Sequence, residues 1–253
     1  MDWLLLIFIG VISGSLAGLL GIGGGILLVS CLQANGFSYP EAIATSSFAI
    51  VITSVSGSYQ NMRMGYLNLK KVIILAIPAM ITSFIATYLV NILADSLLQF
   101  LFALLILINI YLTYLKQDLS KEKELYTKIN VNKNLAILLT GSLAGILAGI
   151  FGIGGGLVLV PLQMLFLNEK IKPAIQTSLA VIVFTSIFTT IGHYNNGNIN
   201  FGTAILVGLG GLVGVQFSTR FLPTIPEKKI HLLYNTLLIA LASYSIYLSF
   251  NHQ

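Results

Sequence analysis

Gly18-Leu19-Leu20-Gly21-Ile22-Gly23-Gly24-Gly25-Ile26-Leu27-Leu28-Val29 sets a glycine cluster inside an apolar run. It returns as Gly149-Ile150-Phe151-Gly152-Ile153-Gly154-Gly155-Gly156-Leu157-Val158-Leu159-Val160. The surrounding runs, 3–34 and 135–167, are long enough to enter a bilayer, whose crossing takes about 20 residues. Each glycine weakens a helix by about 1 kcal/mol relative to alanine, so three in a row predict a break. Glycine turns sharply and leaves its N–H uncovered. At membrane depth such backbone is tolerated only where protein buries it or a cavity receives it.

Outward from these breaks the chain stays apolar. Of 253 residues 56% are hydrophobic and 8% charged, with a mean hydropathy of +0.92. Soluble domains carry about 25% charged residues. The composition therefore predicts a polytopic membrane protein and leaves little length for a soluble domain. The net charge of +5 is read through membrane topology, not as a nucleic-acid footprint. Cys31 is the sole cysteine, so no intramolecular disulfide forms, and no Cys/His metal spacing exists. The N-terminal run lacks a basic n-region and recurs internally, so it reads as structure and not as a signal peptide.

Further spans are expected at 42–60, 72–92 and 97–115, then at 174–192, 203–222 and 230–249. Between the two sets lies one polar stretch, 116–134. This divides the chain into a membrane repeat over 1–115, a cytoplasmic linker over 116–134 and a second membrane repeat over 135–253. The repeats align by hand. Gly10, Gly14, Gly18 and Gly21 correspond to Gly141, Gly145, Gly149 and Gly152 at a shift of 131 positions. After one inserted residue, Ala42-Ile43-Ala44-Thr45-Ser46 matches Ala174-Ile175-Gln176-Thr177-Ser178, and Thr53-Ser54 matches Thr185-Ser186. Gly65-Tyr66-Leu67-Asn68 matches Gly197-Asn198-Ile199-Asn200. Paired repeats with broken helices are the recurrent build of secondary transporters.

Basic residues choose between parallel and inverted halves. If each broken run crosses once, they divide between both faces. If each run turns at its glycines and returns, the halves are inverted and all 13 Lys and Arg residues share one face. The expected fold is therefore all-α, a polytopic membrane protein of two homologous inverted helical repeats, each with a Gly-broken hairpin. Both termini then lie outside, with the basic loops and central linker cytoplasmic.

Short helices beginning after the breaks would point free N–H donors and positive dipole ends at one place, a ready anion site. The candidate substrate-binding groups are Gly21, Gly23, Gly24, Gly25 and Ile26 with Gly152, Gly154, Gly155, Gly156 and Leu157. Thr45, Ser46, Gln176, Thr177 and Ser178 add uncharged donors. Against this, Gly10, Gly14 and Gly18, and their copies, are four apart and read first as helix-packing ladders. The pentads are not nucleotide motifs, since no Lys-Ser/Thr and no βαβ context follows. His193, which aligns with Asn61, and Arg63 are candidates for coupling. An unperturbed histidine titrates near neutrality, which makes His193 the candidate to carry protons; the competing readings are an interfacial histidine and, for Arg63, a positive-inside anchor. No Asp or Glu lies deep in a span, which disfavours a carboxylate proton relay. Catalytic motifs are absent, and no cofactor or metal is expected.

The duplicated Gly-rich run, with Val160-Pro161-Leu162 after its second copy, resembles the sulfite exporter TauE/SafE family. So do Gly65-Tyr66-Leu67-Asn68 and Gly197-Asn198-Ile199-Asn200. The likeness covers nearly the whole chain; Ser30-Cys31 after Val29 departs from it. The resemblance implies a permease of the cell inner (plasma) membrane, with sulfite, an organosulfonate or a related sulfur-containing anion as substrate. The resulting expectation is a non-enzymatic exporter or permease working by alternating access, one half rocking against the other. A monoanion leaving an inside-negative cell gains about 2.3 kcal/mol per 100 mV. Its partners would be the small anion and the lipid bilayer, not nucleic acid; homo-oligomerisation stays open. Two rivals are a membrane accessory subunit that transports nothing itself and an intramembrane redox protein.

Overall fold

A computed structural model describes residues 3–90, 92–93, 97–98, 100–102, 104–105, 107–108, 132–194 and 197–237. Every regular element among them is helical. The helices described end to end are α1 (Trp3–Leu20), α2 (Gly25–Ala34), α3 (Tyr39–Arg63), α4 (Leu69–Val90), α5 (Lys133–Phe151), α6 (Gly156–Phe166), α7 (Ile171–Tyr194) and α8 (Phe201–Phe221), followed by a 3-10 turn, Leu222–Thr224; the described residues within 97–108 and at 227–237 are helical as well. Six of them, all but α2 and α6, are long and apolar enough to cross a membrane. The expected spans 97–115 and 230–249, and the linker 116–134, fall wholly or largely outside the described residues.

The outer helices turn large apolar side chains outward. Trp3, Phe8 and Ile12 on α1, Ile73, Ile77 and Ile81 on α4, and Leu209 and Phe217 on α8 are all exposed. In water such a continuous apolar surface drives association; hydrocarbon is the solvent it suits. The chain is an all-helical, multi-pass membrane protein. The central helices are α3 and α7, whose spans are 61% and 67% buried against 39–44% for the other four. They also carry the interior polar groups, among them Thr45, Ser46, Thr53 and Ser54, then Gln176, Thr177, Ser178, Thr185 and Ser186.

The repeated Gly-x-x-Asn elements have a mechanical job. Gly65 (φ 75°) and Gly197 (φ 72°) turn the chain in the left-handed region. Three residues later Asn68 accepts the Lys71 N–H and Asn200 accepts the Thr203 N–H, each at 3.1 Å. Each asparagine thus caps donors that a helix start leaves unpaired.

The glycine ladders form the seams. Gly10 lies against Val207 and Gly210, Gly14 against Gly211, and Gly18 against Ser218 and Thr219. Gly141 lies against Leu75 and Pro78, Gly145 against Ala79, and Gly149 against Ser83 and Ala86. Numbering rises together along both seams, so α1 runs parallel to α8, and α5 to α4. Small residues let these backbones approach closely, and tight packing holds helices together in lipid. The α1–α7 pair is antiparallel: Gly21 meets Ile175, while Ala17 clusters with Leu179 one turn back. Both seams join the first half to the second, so the repeats interlock.

At one end of the assembly, groups distant in sequence are tied together. Lys71 Nζ pairs with Glu169 Oε1 at 2.6 Å, and Lys172 Nζ donates to the Pro223 carbonyl at 2.7 Å.

Candidate functional site

Both glycine breaks become short helix starts. α2 and α6 begin after Gly24 and Gly155, whose φ values of 76° and 78° lie in the left-handed region. They span 10 and 11 residues, about 15 Å each and half of a hydrocarbon core. Their starts lie level with the middles of α1 and α5. Ser13 Oγ donates to the Gly24 carbonyl at 2.9 Å, and Gly155 packs against Ala144.

The two breaks meet. Gly25 sits against Ile153 and the Gly152 carbonyl, and Gly156 against Ile22 and the Gly21 carbonyl. A β-carbon at either glycine would overlap backbone of the opposite break. Two serines at equivalent positions tie the junction: Ser46 Oγ donates to the Gly152 carbonyl at 2.9 Å, and Ser178 Oγ to the Gly21 carbonyl at 2.8 Å. Ile50 and Ile182, also equivalent and fully buried, cover it. Ile182 touches Gly23, Gly154 and Gly156, while Ile50 touches Gly25 and Gly154. Gly21–Gly25 and Gly152–Gly156 are buried throughout, as are Ile26 and Leu157.

The remaining candidates separate. Thr45 is buried, but its Oγ1 accepts the Asn200 N–H at 3.1 Å, which directs it to the loop before α8. Gln176 and Thr177 are buried on α7. His193 and its counterpart Asn61 are both completely buried. None of their side-chain nitrogens or oxygens meets a partner at hydrogen-bonding geometry, although the Gly149 backbone lies alongside the His193 ring. Arg63 is exposed at the end of α3, with its guanidinium 6.0 Å from the Tyr59 ring centroid; it is not part of the junction.

Structure adds groups that composition and spacing did not mark. Thr185 Oγ1 donates to the Gly154 carbonyl at 3.0 Å, and Tyr234 OH to the Leu157 carbonyl at 2.7 Å. The Thr53-Ser54/Thr185-Ser186 match was a signal for the first; nothing local pointed to the second. Gln163 is fully buried on α6, its Nε2 donating to the Ala174 carbonyl at 3.2 Å while Oε1 meets no partner.

A cavity of about 330 Å³ opens away from the junction, lined by Asn35, Gly36, Phe37, Glu41, Gly197, Asn198, Ile199 and Asn200. Glu41 Oε2 accepts the Ser38 N–H and hydroxyl at 3.0 and 2.8 Å, fixing the α2–α3 corner that forms one wall. Thr45 lies one turn deeper along α3, and Ser46 beside it reaches the junction.

Comparison with known proteins gives a consistent relationship. A family model described as sulfite exporter TauE/SafE matches residues 6–245. The chain is 26% identical over 250 residues to the probable membrane transporter protein MJ0441 of Methanocaldococcus jannaschii, covering 92% of this chain and 91% of that one. It is 26% identical over 226 residues to the probable membrane transporter protein YdhB of Bacillus subtilis, covering 88% and 92%. A probable membrane transporter protein of Haemophilus influenzae is 32% identical over 186 residues, covering 69% and 67%. No solved structure matches. The chain, an all-helical multi-pass membrane protein, belongs to the sulfite exporter TauE/SafE family.

Proposed function

We propose that this protein is a secondary transporter for a small oxyanion, sulfite, an organosulfonate or a related sulfur-containing anion, bound where the two glycine breaks meet. The observation that carries this reading is the reciprocal pair Ser46–Gly152 and Ser178–Gly21. Two helix N-termini abut there near the middle of the protein, and the serines engage the carbonyls that would otherwise repel an anion. The positive dipole ends and first-turn N–H groups of α2 and α6 remain as its ligands. Low surrounding polarity strengthens their field. The family's name supports the substrate class. No catalytic step is assigned to the protein.

The two halves insert in opposite orientations. Thr53 on α3 meets Gly211 on α8 and Gly57 meets Val215, so α3 runs parallel to α8 and, because a short loop folds α8 back along α7, against its own counterpart α7, which supports this. Meeting of Lys71 with Glu169 and of Lys172 with Pro223 supports one shared basic face, cytoplasmic by the positive-inside rule, in the plasma membrane. Access alternates between the faces. Rocking one half against the other would tear the α1–α8 and α4–α5 seams, so access changes by opening at the ends, beside the breaks.

Proteoliposomes loaded with sulfite, thiosulfate, sulfoacetate or sulfate test the reading directly. Flux of at least one sulfur oxyanion above empty liposomes, reduced by Ser46→Ala or Ser178→Ala, is expected. No flux of any of the four, or flux of cations alone, refutes it.

A further inference from the structure

The two ends of the protein are built from equivalent parts, yet they differ. On one face the α2–α3 corner carries Gly36 and Phe37, and the loop before α8 carries Gly197–Asn200; the 330 Å³ cavity lies between them. The 132-position shift puts Asn168 and Glu169 where Gly36 and Phe37 stand, and Gly65–Asn68 where Gly197–Asn200 stand. It also puts Lys71 where Thr203 stands. The place that is open on one face is therefore spanned on the other by the Lys71–Glu169 ion pair.

Local backbone aims this pair. Asn168 has φ 52°, the one non-glycine residue in the left-handed region among those described. Leu167 and Glu169 N–H groups both return to the Gln163 carbonyl, at 3.1 and 3.2 Å. Such a C-cap closes α6 and sends the Glu169 side chain across to Lys71, whose own N–H is held by the Asn68 cap at 3.1 Å. Gly36, φ 89°, is also left-handed in the first half, but there the following N–H, that of Phe37, returns to the Leu32 carbonyl, and neither Phe37 nor Thr203 opposite has a charge to offer.

We infer that Lys71–Glu169 is a gate that closes the basic mouth of the transport path, and that the 330 Å³ cavity is the corresponding mouth standing open on the other face. The inference rests on the transport reading above for its purpose, not for its geometry. Beyond the cavity floor, Thr45 and then Ser46 stand in order along α3 between Asn200 and the junction. Breaking the ion pair releases the α6–α7 corner from α4 and opens the basic mouth. The side chains are 20% and 31% exposed, but the Lys71 Nζ atom itself is covered, so solvent screens the pair only in part. A pair of this kind shifts a two-state balance by about two- to fivefold, which suits a gate that must open in each cycle.

Two equivalent half-buried positions serve as reporters: Leu67→Cys at the basic mouth and Ile199→Cys in the cavity, each in a Cys31→Ser background. In nanodiscs both faces are reachable, and labelling by a membrane-impermeant maleimide reads how open each mouth is. Without the gate mutation, Ile199→Cys labels faster than Leu67→Cys. Glu169→Gln raises the Leu67→Cys rate and lowers the Ile199→Cys rate, each by about two- to fivefold. The reversed pair Lys71→Glu/Glu169→Lys restores both rates, which a misfolded protein would not do. Unchanged rates in Glu169→Gln, or no recovery in the reversed pair, overturn the gate. No substrate enters this assay. Reciprocal shifts without oxyanion flux keep the gate and sink the oxyanion reading; flux without shifts does the opposite.

Discussion

Gly155→Ala separates the two reasons a glycine stands at the break. Its φ of 78° lies in the left-handed region, where a β-carbon costs about 1–2 kcal/mol. The new carbon would also overlap the Ala144 carbonyl, with the Ala144 carbonyl carbon at 3.0 Å and the Ala148 β-carbon at 3.3 Å. These are atoms of the packed α5 helix and cannot rotate away. Overpacking of this kind costs about 1–3 kcal/mol. The sum is about 2–5 kcal/mol, or about 5–20 °C in melting temperature for a chain of this size. Gly197→Ala is the control for strain alone: φ is 72°, and nothing lies within 4 Å of the added carbon. Gly145→Ala is the control for overlap alone, since its α-helical backbone accepts alanine while the carbon overlaps the Ala79 carbonyl. Fluorescence-detected thermal melts of purified protein in one detergent, at one scan rate, rank the three. Gly155→Ala should melt lowest by several degrees. If it melts no lower than Gly197→Ala, α6 does not start packed against α5 and the junction as described is wrong.

Three further outcomes follow from the same contacts. Ser46→Ala and Ser178→Ala each leave a buried carbonyl without its hydroxyl and should each cost about 1–3 kcal/mol; in a double-mutant cycle they should couple by more than about 0.5 kcal/mol, and strict additivity would mean that the two halves of the junction are independent. Tyr234→Phe removes the donor to the Leu157 carbonyl and should cost about 1–2 kcal/mol in the same melts, with an unchanged melt arguing against that bond. Gly14→Leu drives a side chain into the Gly211 backbone and should abolish a monodisperse size-exclusion peak, whereas Leu209→Phe on the exposed face of α8 should leave it intact; equal profiles would refute the α1–α8 seam.

Much of this architecture was written into the chain. Hydropathy marks depth, because backbone in hydrocarbon must bond internally, and the runs around α1, α3, α4, α5, α7 and α8 all became helices of crossing length. Glycine runs mark where a helix must stop, and both breaks became the starts of α2 and α6. The ladder Gly10-Gly14-Gly18 announced close packing. None of these signals says which helix packs on which, since lipid is as apolar as any helix face and rewards no pairing over another. Thr45 shows the consequence. It stands beside Ser46 in sequence, yet neighbouring residues on a helix point about 100° apart, so Ser46 reaches the junction and Thr45 holds the loop before α8. The burial of Gln163 was equally hidden, because α6 is apolar nearly all round and nothing local tells which side meets α7.

Sequence alone determined that this is a polytopic membrane protein with two glycine-broken helices, because hydropathy and glycine content act through local backbone physics. Only tertiary structure decided that the breaks abut, that Ser46 and Ser178 cross to the opposite carbonyls, and that the repeats interlock through α1–α8 and α4–α5. Those outcomes depend on which small residues face one another at backbone distance, a property of pairs of surfaces that no single stretch of chain contains.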